Sequence, residues 1–266
     1  MSQQQRLSSI LDLINDRGHV SIAEICAFTG SSTATARRDV AALTDQRLVT
    51  RTHGGVSALA SGYELPLQYK IARQAQAKMA IAQAVEALIS PGDTVGMNGG
   101  TTVTEVARAL GKSARLRVEE PNLPGVTIVT NALNVAFEAS VREHMKIVVT
   151  GGVPRRQSYE LVGPLVEASL KDFYLDFAVI GVDGISARGA STVNEAEADA
   201  SRHIARIARS VIVAADHTKL GHSAFAAICS LDDIDTLVTD APPTSDFREL
   251  LDAAGVKVAV APSPPG

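Results

Sequence analysis

The chain has 266 residues, of which 45% are apolar and none is Trp, and a formal net charge of −4. This length suggests two domains, and the apolar fraction is enough for a sizeable core. The acidic balance excludes a protein that binds nucleic acid by bulk charge alone, and no run approaches the ~20 apolar residues of a membrane span.

The charge is unevenly spread. Residues 1–57 hold six Lys/Arg and five acids, a balance of +1, which leaves −5 for the rest. A mildly positive small piece on an acidic large one is compatible with local nucleic-acid contact. Cys26 and Cys229 stand far apart, with no CxxC and no His at ligand spacing. Two buried, reduced thiols and no metal site are expected. Met1-Ser2-Gln3-Gln4-Gln5 has no apolar run behind it and does not read as a signal peptide, so a cytoplasmic protein is expected.

Residues 3–17 predict a first helix, with Leu7, Ile10, Leu11 and Ile14 as its apolar stripe and Gly18 as its stop. Ser21 with Glu24 three residues on is a capping box. It opens a second helix over about 22–28 that buries Ile22, Ile25 and Cys26. Phe28-Thr29-Gly30-Ser31 is a brief turn. Ser32 is then the N-cap of a third helix, 33–45, whose Ala36, Val40 and Leu43 recur at helical spacing. Two short helices joined by a Gly-containing turn are the helix-turn-helix pattern. Leu48 to Val56 alternates and turns at Gly54-Gly55, which predicts a small β-wing.

Thr33, Thr35, Arg37 and Arg38 fall mostly on the faces of the third helix left exposed. With Ser31, Ser32, Arg51 and His53 they form a candidate DNA interface. Arg37 and Arg38 suit phosphates or a guanine edge, the hydroxyls suit the backbone, and Arg51 and His53 suit the flanking phosphates. Asp39 is out of place beside DNA and is expected to pair Arg38 or another basic group. With so few basic residues one subunit should bind weakly, so dimers reading two half-sites are expected. A three-helix protein-interaction domain would share the periodicity.

Residues 58–75 read as a linker, punctuated by Ser61-Gly62 and Pro66. From Leu67 a helical pattern runs to Ile89 and stops at Ser90-Pro91-Gly92-Asp93. Residues 76–260 then alternate. Short β-runs begin at Thr94, Val126, Lys146, Phe177, Val211, Thr236 and Val256, and helical runs lie between them at about 101–110, 131–143, 161–172, 194–209 and 244–254. This predicts a mostly parallel α/β sheet covered on both faces. Residues 112–124 read as an exposed loop and 261–266 as a loose tail.

In such sheets ligands bind beyond the carboxyl ends of the strands. The first end carries Asn98-Gly99-Gly100-Thr101-Thr102 and then a helix, which is a phosphate cradle: backbone N–H groups can approach an anion and two hydroxyls join them. No Lys follows the glycines, so it is not a nucleoside-triphosphate loop. A tight turn with a capped helix is the alternative. The other ends carry Thr130-Asn131, Thr150-Gly151-Gly152, Gly181-Val182-Asp183-Gly184 and Asp216-His217-Thr218-Lys219. Asn, Asp and Lys are what a polyhydroxylated ligand with an anionic end requires. Glu195 and Glu197, on the helix after Asn194, are expected to face solvent rather than the ligand.

Val20 to Val56 resembles the N-terminal winged helix-turn-helix of the DeoR family of bacterial repressors, through Ser32, Thr35, Arg37-Arg38-Asp39 and Arg51-Thr52-His53-Gly54-Gly55. Val40 stands where the family usually has Leu. The GTT, TN, GG, G-x-D-G and D-x-x-K motifs resemble the family's C-terminal domain, which is similar to ribose-5-phosphate isomerase. The resemblance covers essentially residues 1–260. It implies a repressor of carbohydrate-metabolism genes, released from operator DNA by a phosphorylated sugar or polyol, working as a homodimer or homotetramer. Gly100, Thr101 and Thr102 would hold the phosphate, and Asn131, Gly152, Asp183 and Lys219 would line the sugar site. Gly99 stands where the family often has a polar residue, and Asp216-His217-Thr218-Lys219 replaces the usual Asp-Ser-Ser-Lys. No cofactor, metal, membrane contact or enzyme activity is expected. The alternatives are a sugar-phosphate isomerase, with Asp183 or a helix Glu as base and Lys219 stabilising an enediolate, and a protein-interaction module.

Overall fold

The computed structural model describes residues 2–58, 65–118 and 123–262, and the chain folds as two compact units, Met1–Arg73 and Gln74–Gly266. In the first unit, Ser2 and Gln5 form a capping box that opens α1 (Gln3–Arg17). β1 (His19–Ser21) leads into α2 (Ile22–Thr29), opened by the Ser21–Glu24 box. Ser32 caps α3 (Thr33–Asp45), its Oγ accepting the Thr35 N–H at 3.3 Å. β2 (Val49–Thr52) and β3 (Gly55–Ala58) make the wing hairpin, and β1 adds to β3 to complete a three-stranded antiparallel sheet. Gly54 turns the hairpin at φ +91°. Gly55 lacks a Cβ because one would run into Val20 O on β1.

Ile10, Ile14, Val20, Ile25, Ala36, Val40, Leu43 and Val56 meet in one core, as their spacing requires. Part of the segment read as a linker belongs to this core. α4 (Leu67–Lys70) buries Tyr69, whose hydroxyl donates to Gln46 Oε1 at 2.6 Å and whose carbonyl accepts from Ser8 Oγ. Residues 59–64 of that segment lie outside the described residues. The helical pattern from Leu67 does not form one long helix, because Gln74 adopts φ +52° and α5 (Ala75–Glu86) begins afresh.

After α5, the second unit runs β4 (Thr94–Met97), α6 (Thr101–Lys112), β5 (Val126–Thr130), α7 (Leu133–Ser140) and β6 (Met145–Val149). A short hairpin, β7 (Val153–Pro154) with β8 (Leu161–Val162), precedes α8 (Pro164–Leu170) and β9 (Leu175–Gly181). Then come β10 (Gly184–Ser186), β11 (Gly189–Thr192), α9 (Glu195–Arg206), β12 (Ala208–Ala214), β13 (Ala226–Cys229), β14 (Thr236–Thr239), α10 (Ser245–Ala253) and β15 (Lys257–Val260). Seven strands form one parallel sheet in the order β15-β14-β12-β9-β4-β5-β6. The α/β class expected from the alternation holds. β10, β11 and β13 form a separate small antiparallel sheet that the alternation did not announce.

The sheet is apolar on both faces, as a parallel sheet must be. Ala178 and Ile180 of β9 pack with α8, α9 and α10, while Val179 between them packs with α5, α6 and α7. Leu116 is fully buried, so the stretch read as an exposed loop is anchored; its residues 119–122 lie outside the described residues. So do residues 263–266 of the expected tail, while Ala261 is buried. Both cysteines are half-buried rather than buried. Cys26 sits at the rim of the first core beside Thr33, and Cys229 lies on the small outer sheet.

The strand order sets the position of the site. The chain builds outward from β4 to β5 to β6, then returns to lay β9, β12, β14 and β15 on the other side of β4. The segments leaving β4 and β9 therefore diverge to opposite faces, and a crevice opens at their carboxyl ends.

Candidate functional site

On the first unit, α3 and the wing present the expected polar residues. Thr33, Arg37, Arg38, Arg51 and His53 are exposed. The hydroxyls are also used locally: Ser31 bonds Thr29 Oγ1 at 2.7 Å, and Ser32 bonds Thr35 Oγ1 at 3.0 Å. They organise the entry to α3, while Arg37 and Arg38 stand outward, Arg38 Nε donating to Ala34 O at 3.4 Å. Asp39 is buried and takes a two-pronged contact from Arg6 of α1, at 2.5 and 3.1 Å. Its acid is structural, as expected, but its partner is Arg6 and not Arg38.

On the second unit, β4 delivers Asn98-Gly99-Gly100-Thr101 to the crevice. Asn98 spans it: Nδ2 donates to Gly181 O at 2.9 Å and Oδ1 accepts Gly181 N–H at 2.8 Å, so one amide joins the ends of β4 and β9. The same Nδ2 donates to Ser201 Oγ of α9 at 3.0 Å. Gly100, at φ +105°, turns the chain into α6, whose first turn has no side-chain cap. Its N–H groups and the positive end of its dipole face the crevice region, where an anion is favoured.

The long return from β6 to β9 crosses the carboxyl ends of β5 and β4, and the β7–β8 hairpin drops Glu160 there. Glu160 is 5% exposed. Asn131, at the end of β5, donates from Nδ2 to Glu160 Oε2 at 3.2 Å and to Leu161 O at 3.0 Å. The Gly99 N–H also donates to the Glu160 carboxylate, and a Cβ on Gly99 would overlap Glu160 Cγ and Oε1. This explains the Gly-Gly pair: Gly99 makes room and Gly100 makes the turn. Burial and the nearby Glu197 carboxylate, with a smaller push from Asp183, raise Glu160 to about 8 against these hydrogen bonds.

Glu197 was expected in solvent. It is buried on α9 and pairs with Arg155 at 2.8 Å, because it shares the inward face with Ser201 and Ile204. Glu195 is exposed as expected. Asp183 accepts from Thr192 Oγ1 at 2.9 Å and from Val193 N–H at 3.2 Å, fixing the loop into α9. Gly99, Gly100, Thr101, Asn131 and Asp183 thus gather around the crevice, with Thr102 next along α6.

The remaining predicted residues have local reasons for their identity. Gly151 N–H donates to Ser169 Oγ at 2.9 Å, and a Cβ on Gly152 would crowd Leu161 and Val162 of the hairpin. Gly184 lies against His222 O. Lys219 ends the short turn His217–Lys219 after β12, where His217 Nδ1 is held by Asp240 at 2.7 Å. Asn98, Arg155, Glu160 and Ser201 were missed as site residues.

Residues 6–61 match the DeoR-like helix-turn-helix domain, and residues 73–241 match the DeoR C terminal sensor domain. The chain belongs to the DeoR family. Family relatives include the HTH-type transcriptional repressor GlcR of Bacillus subtilis, 32% identical over 98% of this chain and 97% of its own length. The glycerol-3-phosphate regulon repressor of Escherichia coli is 33% identical over 94% and 96%. Among solved structures, ribose 5-phosphate isomerase A from Methanocaldococcus jannaschii aligns over 55% of each chain at 18% identity, with a TM-score of 0.40. As a DeoR-family member the protein is a DNA-binding transcriptional regulator with a sensor domain, and the isomerase alternative is not favoured. No helix among the described residues is long and apolar enough to cross a membrane.

Proposed function

We propose that this protein is a cytoplasmic repressor of carbohydrate-metabolism genes, working as a homodimer or homotetramer, whose grip on double-stranded operator DNA is released by a phosphorylated sugar or polyol. Residues 1–57 bind the DNA, 76–260 hold the effector, and the segment 58–75 between them contributes α4 to the core of the first unit. Arg37 and Arg38 meet a guanine edge or phosphates, Ser31, Ser32, Thr33 and Thr35 the backbone, and Arg51 and His53 the flanking phosphates.

The observation that carries the effector half is the uncapped first turn of α6 at the strand-order reversal, reached through Gly99-Gly100. Unsatisfied N–H groups and the helix dipole suit a phosphate, which Thr101 and Thr102 would join with their hydroxyls. Asn131 and Asp183 beside it suit sugar hydroxyls. Gly151, Gly152, Gly184 and Lys219, at the other strand ends, are the further residues assigned to the effector. A relative named for a glycerol-3-phosphate regulon supports a phosphate ester. To act as an inducer the ligand must bind the DNA-free form more tightly, by about 1–3 kcal/mol.

The test is fluorescence anisotropy on DNA from upstream of the protein's own gene, at about physiological salt, with phosphorylated sugars and polyols and their unphosphorylated forms. Release by one phosphate ester and not by its parent alcohol is expected. Specific binding that no phosphate ester changes would refute the effector reading.

A further inference from the structure

The phosphate end of the proposed effector has its partner in the first turn of α6, and the crevice floor holds a matching pair for the other end. Glu160 is held in place by its hairpin. Arg155 N–H donates to Glu160 O, Leu133 N–H donates to Tyr159 O, and Tyr159 itself adopts the strained φ of +63°. Gly99 is cut away to admit the carboxyl. Asn131 is fully buried beside it, and Asn131 Oδ1 has no hydrogen-bond partner among the described residues. Asn131 Nδ2 in turn holds the Glu160 carboxyl at 3.2 Å, and a ligand hydroxyl that meets this carboxyl can both donate to it and accept from it.

We propose that Glu160, together with Asn131, is the specificity-determining pair of the sensor unit. A ligand whose anionic end rests on the first turn of α6 places a hydroxyl on the Glu160 carboxyl, which Asn131 Nδ2 holds at 3.2 Å, so the site selects polyhydroxylated phosphate esters over bare ones. This deepens the effector reading above and rests on it. A site built to hydrogen-bond a hydroxyl discriminates strongly against an analogue lacking it, because the analogue leaves the buried groups unpaired. The neutral carboxyl that burial and Glu197 enforce can both donate to and accept from such a hydroxyl.

The experiment is calorimetric titration of the full-length protein with phosphate monoesters of three- to six-carbon polyols and sugars, each beside the alkyl phosphate of equal carbon number. At least one hydroxylated ester should bind the native protein about 30-fold more tightly than its alkyl partner. In Glu160→Leu that ratio should fall to within about 3-fold, with the alkyl phosphate affinity nearly unchanged. If Glu160→Leu does not fold, Glu160→Asp, which withdraws the carboxyl by one methylene, should still cut the ratio about 5-fold. An unchanged ratio in the folded variant overturns the inference and leaves the effector reading standing. An equal loss for both ligands also overturns it, making Glu160 a scaffold residue. If no monoester binds the native protein, the effector reading fails and the inference with it.

Discussion

Replacing Glu160 by Gln should stabilise the sensor unit, and the gain should grow with pH. In the folded protein Glu160 keeps its proton to about pH 8, while a free Glu side chain releases it near 4.5. Between those values the native state holds a proton that the unfolded chain has lost, so stability falls as pH rises, by up to about 1.4 kcal/mol per pH unit. The full window sets an upper bound of about 5 kcal/mol. Glu197 and Asp183 feel the same charge and share the change, so about 2–3 kcal/mol is expected for Glu160 alone. Gln has the same length, stays neutral, and its Oε1 can still accept from Asn131 Nδ2. For a unit of this size the variant should melt about 5–8 °C above the native protein at pH 8.5, with the gap closing toward pH 5 and level above pH 9. Calorimetric melting of both proteins from pH 5 to 9 measures it. A gap independent of pH, or one that opens toward acid, would refute the reasoning, since the latter would mean an ionised and stabilised carboxylate.

The two units should separate by substitution. Arg38→Ala should weaken operator binding at least 10-fold and lower its salt dependence, without shifting the melting temperature or effector affinity; gel-shift titration at several salt concentrations checks this. Asp39→Ala should act by a different route, destabilising the first unit by about 2 kcal/mol through the stranded Arg6 guanidinium. Urea unfolding should show that loss, and Arg6→Leu combined with Asp39→Leu should recover part of it. Thr101→Val should leave DNA binding intact and raise the effector concentration needed for release about 10-fold, the worth of one hydroxyl hydrogen bond to a charged group. An unchanged release curve would remove Thr101 from the cradle.

The first unit was largely legible because its signals are local. Ser21-x-x-Glu24 and Ser32 fix helix starts, Gly18 a helix stop, and the i, i+4, i+7 recurrence of Ala36, Val40 and Leu43 fixes the buried face of α3. The seven main strands were legible because each is a short apolar run, and the central ones are covered by helices on both faces. The site was legible only in part. The Gly-Gly-Thr-Thr turn and Asn131 announce themselves at strand ends, but which ends adjoin depends on the strand order, which no local pattern records. Glu160 ends a polar run, Arg155 to Glu160, between two strands of two residues each, too short for any periodicity, and only its long-range meeting with Gly99 makes it part of the crevice. Glu197 did carry a signal: it lies four and seven residues before Ser201 and Ile204, the spacing of an inward helix face. Tyr69 likewise carried a signal, an aromatic two residues after Leu67 and past the Pro66 that punctuates the segment like a linker.

The central claim is that effector and operator compete through one protein, and linkage tests it most directly. The affinity of the releasing phosphate ester is measured by calorimetry on the protein alone and on the protein saturated with operator DNA. The account predicts weaker effector binding in the presence of DNA, by the same factor, about 5- to 150-fold, by which the effector weakens DNA binding. Equal effector affinity with and without DNA would contradict it.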